Sequence, residues 1–386
     1  MLKEKRNINL DCVRGIAALA VFLGHLRALL YPNYHSIAEP SLIQSGFYFL
    51  TSLGHESVVV FFVLSGYFVG GSLLATSQTL NLKKYLISRL SRLWIVLLPA
   101  LLLTFFIDIF IKHNAPNILQ GQYYHEWNSG PKADGNYSAT WATLIGNIFF
   151  LQTILCPVFG TNSPLWSLSN EFWYYILFPI FSLGIGWVKT AKSHRVHIPW
   201  LISFVVLIGF LPVAILKGFV PWSMGVAVYL LSKKISKAKG GMLRLFGVFS
   251  FMMALFFSKS VVIKTILPIP YDWVVALSFS ILCMGMIAGG SCCMDSRPAR
   301  IISFISESSY SLYANHFPLL ILSAALGLHQ LRFVSETKRA QGYIVLGILI
   351  WGISIFMWYM FERNTDKVRN YILKAFSPCI DYRPKE

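Results

Sequence analysis

Residues 12–30 read CVRGIAALAVFLGHLRALL. This apolar run is close to the ~20 residues that carry a helix across a ~30 Å hydrocarbon core. It also holds Arg14 and His25, and it follows a basic leader, MLKEKRNINL. A cleaved signal peptide would have an uncharged apolar centre closed by small residues, and neither feature is present. The run therefore reads as a first membrane span.

Further runs of this kind recur along the chain. Of its 386 residues, 55% are hydrophobic and 13% charged, with a mean hydropathy of +0.59. Soluble domains carry about 25% charged residues, so this chain lacks the polar surface to face water all round. The spans expected are 12–30, 55–75, 93–111, 166–187, 198–215, 219–231, 243–258, 272–290, 301–324 and 342–361. That makes an all-α integral membrane protein, a bundle of about ten transmembrane helices forming a single domain over 1–386.

The net charge of +17 would point to nucleic acid in a soluble protein. Here the basic residues sit in short links between apolar runs. Examples are Lys83, Lys84 and Arg89; Lys189, Lys192 and Arg195; Lys233, Lys234, Lys237, Lys239 and Arg244; and Arg297 with Arg300. With the N-terminus in the cytoplasm, Lys and Arg favour the inner side by about three to one, the positive-inside pattern. This places both termini in the cytoplasm and the protein in the inner (plasma) membrane, with no nucleic-acid partner. The six cysteines, Cys12, Cys156, Cys283, Cys292, Cys293 and Cys379, show no disulfide or zinc spacing. No metal site is expected.

Residues 141–160, WATLIGNIFFLQTILCPVFG, are apolar enough to cross. A crossing there would invert every later link, so a re-entrant or interfacial helix is expected, with Asn147, Gln152 and Pro157 suited to lining a cavity. The preceding loop, 112–140, mixes aromatic and small polar residues. It suits either stacking on sugar rings or an ordinary interfacial belt.

Ionisable groups within spans are costly and mark functional sites. Eleven residues at 100° each return to within about 20° of the same direction, so Arg14 and His25 share one helix face about 16 Å apart. Asp11, three residues before Arg14, can pair with it. The alternative is a snorkelling arginine and a hydrogen-bonded neutral histidine. In the second span, Ser65-Gly66 permits close helix approach. Arg89 and Arg92 open the third span, either as positive-inside anchors or as a phosphate clamp. Glu171, within Trp166–Tyr174, is a carboxylate at membrane depth, and Tyr310 and His316 lie in a late span before Phe361-Glu362-Arg363.

In this order the residues resemble the acyltransferase-3 family of multispanning membrane acyltransferases, from Asn9 to about Arg363. The matching segments are Leu10-Asp11-Cys12-Val13-Arg14-Gly15 with His25, Phe61–Gly66, the Arg89/Arg92 pair, Trp166–Tyr174, and Ser309–His316. Two departures stand out. A hydrophobic Val59 or Val60 replaces the acidic residue often found before the Phe-Phe pair, with Glu56 nearby. Glu362-Arg363-Asn364 replaces the usual Glu-x-Pro, which is expected to affect how the tail leaves the membrane.

The resemblance implies transfer of an acyl group, usually acetyl, from cytoplasmic acyl-coenzyme A to a hydroxyl of an extracytoplasmic glycan or other exported acceptor, as in O-acetylation of cell-envelope polysaccharides. On that basis Arg14, Arg89 and Arg92 would hold the donor's phosphates. His25 would be general base or acyl carrier, the ordinary imidazole pKa of ~6.5 suiting either role. Glu171 would orient an imidazole or bind the acceptor, and Ser65, Glu56, Tyr310 and His316 would line the substrate path. The rival reading is a multispanning transporter or flippase, because charged groups in helices also mark transport routes.

Overall fold

The computed structural model describes residues 7–75, 80–135, 137–188, 197–290 and 297–376. Among them the chain is helical, with no strand and only two isolated bridges, Ser138–Phe159 and Gln152–Cys156. Lys189, Lys192, Arg195, Cys292, Cys293 and Cys379 lie outside the described residues. The described cysteines are all free thiols.

The helices used below are α1 (Ile8–Leu30), α2 (Leu42–Thr51), α3 (Gly54–Ser65), α4 (Leu82–Asn114), α5 (Trp141–Ile148), α6 (Trp166–Gly184) and α7 (Ile198–Phe210). They continue with α8 (Val213–Ser232), α9 (Lys237–Phe257), α10 (Tyr271–Ala288), α11 (Arg297–Glu307), α12 (Ser309–Ala325), α13 (Glu336–Met360) and α14 (Thr365–Phe376).

Seven helical stretches among the described residues are long and apolar enough to cross a membrane. They begin at Ile8, Gly54, Leu82, Val213, Lys237, Tyr271 and Glu336. At the positions of the other three expected spans, α7 and α12 are too short to qualify, with 13 and 17 residues, and α6 falls below the hydropathy required. Large apolar side chains stand exposed at helical spacing, as at Leu98, Leu102 and Phe106 on α4 and Leu245, Phe249, Met252 and Phe256 on α9. Such faces suit hydrocarbon. The chain is a multi-pass membrane protein.

Four boundaries differ from those expected, each for a local reason. α4 starts eleven residues early, at Leu82, because the Asn81 side chain accepts from Lys84 N at 3.0 Å and caps it. Arg89 and Arg92 are therefore inside the helix. The break expected after residue 215 falls instead at Leu211-Pro212, where Leu211 is extended (φ −82°, ψ 138°), the conformation favoured before a proline. The expected span 301–324 is two helices, α11 and α12, parted at Ser308, whose hydroxyl bonds back to Phe304 O at 3.0 Å. After α13 the tail turns at Glu362–Asn364 and returns as α14, packed on α4.

Segment 141–160 is not a continuous helix. α5 lasts eight residues, and irregular backbone follows, left-handed at Phe150 (φ 59°) and Thr153 (φ 67°). Asn147 and Gln152 are turned into the protein. Both are fully buried and serve the loop's own backbone: Asn147 bonds Thr143 O, Pro157 O and Phe159 N, and Gln152 bonds Leu165 O.

α1 is the central strut, packed against α3, α11, α12 and α13. Its start lies beside the end of α10, where Asn9 Nδ2 donates to Gly290 O at 3.5 Å. α3 continues through a π-helical turn, Gly66–Gly70. There the backbones of α3 and α8 touch. A Cβ on Gly66 would stand 1.8 Å from Trp222 O, and one on Gly225 1.9 Å from Val63 O. The small residue after Ser65 thus serves the close approach that the sequence predicts.

Candidate active site

Helices α1, α3, α4, α6, α11 and α12, with the end of α13 and the start of α14, enclose a cavity of about 520 Å³ near the Asn9 end of α1. Arg14, Arg89, Arg92 and Arg363 line it, facing the carboxylates Glu171, Glu307, Glu362 and Asp366. The early start of α4 is what carries Arg89 and Arg92 to the cavity wall from a single helix.

Each charge is held by its neighbours. Arg14 pairs with Asp11 Oδ1 at 2.7 Å and donates from Nε to Ser306 Oγ at 2.8 Å, which ties α1 to α11. Arg89 donates to Ser72 Oγ at 3.2 Å and lies 5.6 Å over the Tyr85 ring. Arg92 is exposed. Glu171 Oε1 accepts from Ser65 Oγ at 2.8 Å and from the Tyr175 hydroxyl, and Trp222 Nε1 donates to the same Ser65 hydroxyl at 3.2 Å. Glu362 Oε2 accepts from Ser311 N and Oγ, at 3.0 and 2.6 Å. Tyr310, also on the wall, donates to Leu93 O at 3.1 Å.

His25 is not on this wall. It lies further along α1, half-buried, with Nδ1 2.9 Å from Nε2 of His316 on α12. His316 is 0% exposed. Its Nδ1 is 3.0 Å from Leu312 O and 2.9 Å from Tyr313 O. Carbonyls only accept, so Nδ1 of His316 carries a hydrogen. In the arrangement that buries no charge, His316 Nε2 is then an acceptor and His25 Nδ1–H donates to it. Nε2 of His25 keeps its lone pair, the form a general base requires.

Between the cavity and this pair stand two aromatic rings. Phe61 and Tyr313 both line the cavity, with centroids 6.1 Å apart and edge to face. Tyr313 in turn packs 6.0 Å from His316. Phe61 touches all three buried apolar clusters of the fold. The Tyr313 hydroxyl is pinned by Ser167 Oγ at 2.6 Å and Pro164 O at 3.1 Å.

The structure therefore gathers Arg14, Arg89, Arg92, Ser65, Glu171 and Tyr310 at one cavity, and His25 with His316 behind a two-ring partition. Glu56 joins neither. It is buried near the far end of the bundle in an ion pair with Lys259 at 2.9 Å. The sequence reading missed the position of Glu362. The residue was visible in the Glu362-Arg363-Asn364 departure, but the turn at Glu362–Asn364 aims it at α12 as well as redirecting the tail.

The profile of the acyltransferase-3 family, described as an acyltransferase domain, matches residues 7–363. The chain belongs to the acyltransferase-3 family. The match covers every helix that lines the cavity except α14, and both histidines. No curated protein and no solved structure matches the chain. Among the described residues no group of His, Cys, Asp and Glu could hold a metal ion. Membership makes the protein a membrane acyltransferase, and the chemistry must be sought in the cavity and the histidine pair.

Proposed function

We propose that this acyltransferase moves an acetyl group from acyl-coenzyme A, bound from the cytoplasm, to a hydroxyl of an extracytoplasmic glycan. The observation that carries the reading is the layout along α1: an arginine-lined cavity at one end, and a polarised histidine pair beyond an aromatic partition. The positive-inside charge pattern supports an Asn9 end, and with it a cavity, on the cytoplasmic side.

Arg89, Arg92 and Arg363 present guanidinium forks suited to the donor's phosphates. Arg14 is already engaged by Asp11 and Ser306, so it supplies field and shape more than a free fork. The thioester end of the donor reaches past Phe61 and Tyr313 towards His25. Nε2 of His25 takes the proton of the acceptor hydroxyl as its oxygen bonds to the acyl carbon. The carbon–sulfur bond then breaks, and the thiolate leaving group takes that proton back from His25 Nε2, which returns the ring to its neutral form. His316 holds the reacting tautomer from behind.

The test uses the purified chain in vesicles, with labelled acetyl-coenzyme A on one side and an O-deacetylated envelope polysaccharide on the other. Label should appear in the polysaccharide. Arg89→Ala and Arg92→Ala should raise the KM for donor about tenfold while leaving the protein folded, with lysine restoring only part. Transport of the polysaccharide without acylation would instead favour a flippase.

A further inference from the structure

Where α1 ends, three arginines gather among aromatic rings: Arg27 on α1, Arg332 in the 3-10 turn Leu328–Phe333, and Arg339 on α13. Arg332 is buried and fully engaged. It donates from Nε and Nη2 to Tyr31 O and from Nη2 to Ala28 O, capping the carbonyl end of α1, and it pairs with Glu126. Arg339 donates from Nη2 to Arg332 O and Val334 O, and lies 5.3 Å over the Tyr31 ring. Its Nε is buried without a partner.

Arg27 differs from both. Among the described residues its side chain has no hydrogen bond or ion pair. Its guanidinium lies 4.9 Å over the Tyr48 ring, and its Nε is buried and unpartnered. The carboxylates facing the cluster are already occupied: Glu126 by Arg332, and Glu336 by Gln44 Nε2 at 3.1 Å. A partly buried cation next to two like charges, with its Nε donor unmet, is costly unless an anion offsets it. Arg27 follows His25 by two residues on α1, about 3 Å further along the helix axis and on another of its faces. Beside it Tyr31, Phe47, Tyr48 and Tyr343 pack against one another, tilted or edge to face, with centroids 5.1 to 6.4 Å apart.

We propose that Arg27, backed by Arg339 and walled by Tyr31, Tyr48 and Tyr343, binds an anionic group of the acceptor. The acceptor is thus an acidic glycan or glycolipid bearing a carboxylate or phosphoryl group, with its neutral hydroxyl presented to His25. This rests on the acyl-transfer reading for the word acceptor, and the site itself is tested without donor.

The experiment is isothermal titration of the purified full chain in phosphatidylcholine nanodiscs with glucuronate, inorganic phosphate and glucose. Glucuronate or phosphate should bind saturably and glucose should not. Arg27→Gln should weaken the anion about tenfold or more, the loss of one charge-assisted contact, and Arg27→Lys should weaken it less. All three proteins should melt at the same temperature in the nanodiscs, which shows that the variants are folded. Equal anion affinity in Arg27→Gln and the parent, or no saturable anion binding in the parent, overturns the proposal. Loss of glucuronate binding when phosphatidylglycerol replaces phosphatidylcholine assigns the site to a lipid headgroup and overturns the acceptor role. Failure of acyl transfer with anion binding intact would count against the reaction and leave this site standing.

Discussion

His25 and His316 share a hydrogen bond but not an environment, and the roles proposed for them rest on that asymmetry. His25 is half-buried with Nε2 free of the pair, whereas His316 has both nitrogens engaged and no exposed surface. His25→Gln should therefore insert normally, bind donor, and lose 10²–10⁴-fold in rate, the usual effect of removing a general base. His316→Gln should lower kcat about tenfold or more with donor KM unchanged, because it releases the His25 tautomer without touching substrate. Single-turnover transfer in matched vesicles measures both. Near-normal transfer by His25→Gln would move the base to Glu171. At this scale the sequence was half legible. Helical phase placed Arg14 and His25 on one face, but nothing local announced that His25 would meet a partner 291 residues away. Glu362 was equally hidden, since its place at the cavity depends on a turn that opens after the last apolar run.

At the scale of elements, the contact between α3 and α8 is made by backbone against backbone, with Gly66 and Gly225 as the two points of approach. Gly66→Ala would place a methyl 1.8 Å from a carbonyl oxygen that no side-chain rotation can move. The helices must separate, at a cost above the usual 1–3 kcal/mol of overpacking. Both Gly66→Ala and Gly225→Ala should melt well below the parent in detergent. Gly352→Ala on α13, with nothing within 4 Å of its added methyl, should match or exceed it. A melting point for Gly66→Ala equal to that of Gly352→Ala would show that α3 and α8 do not meet this closely. The Ser65-Gly66 pair told of this approach in advance because small residues have that meaning in membranes. The division of 301–324 into α11 and α12 could not be read the same way. Hydropathy averages over Ser306, Ser308 and Ser309, and it is blind to the back-bonding of Ser308 and Ser309 hydroxyls onto carbonyls of the preceding turn. The early start of α4 escaped for a related reason: an apolar window finds where lipid begins, not where the Asn81 cap starts the helix.

For the whole molecule, apolar runs and basic links were enough to announce a helical membrane protein. The gathering of Arg89, Glu171, Tyr310 and Glu362 at one cavity depends on how α4, α6, α12 and the end of α13 assemble, which no single run records. Tyr313 and Phe61 then acquire a meaning that reaches past catalysis. A bundle that works as proposed, with solutes on both faces of a membrane, is also a potential electrical leak, and each elementary charge crossing 100 mV releases about 2.3 kcal/mol. With the arginine cavity open on one side and the His25 ring partly accessible beyond the partition, those two rings are the insulation between them. Trimming the wall by Phe61→Ala should let vesicles holding the protein dissipate an imposed potential faster than vesicles holding the parent, as read by a voltage-sensitive dye. An unchanged decay would mean that the barrier lies elsewhere. A faster decay would mean that the aromatic side chain at this position guards the voltage across the membrane as well as the chemistry beside it.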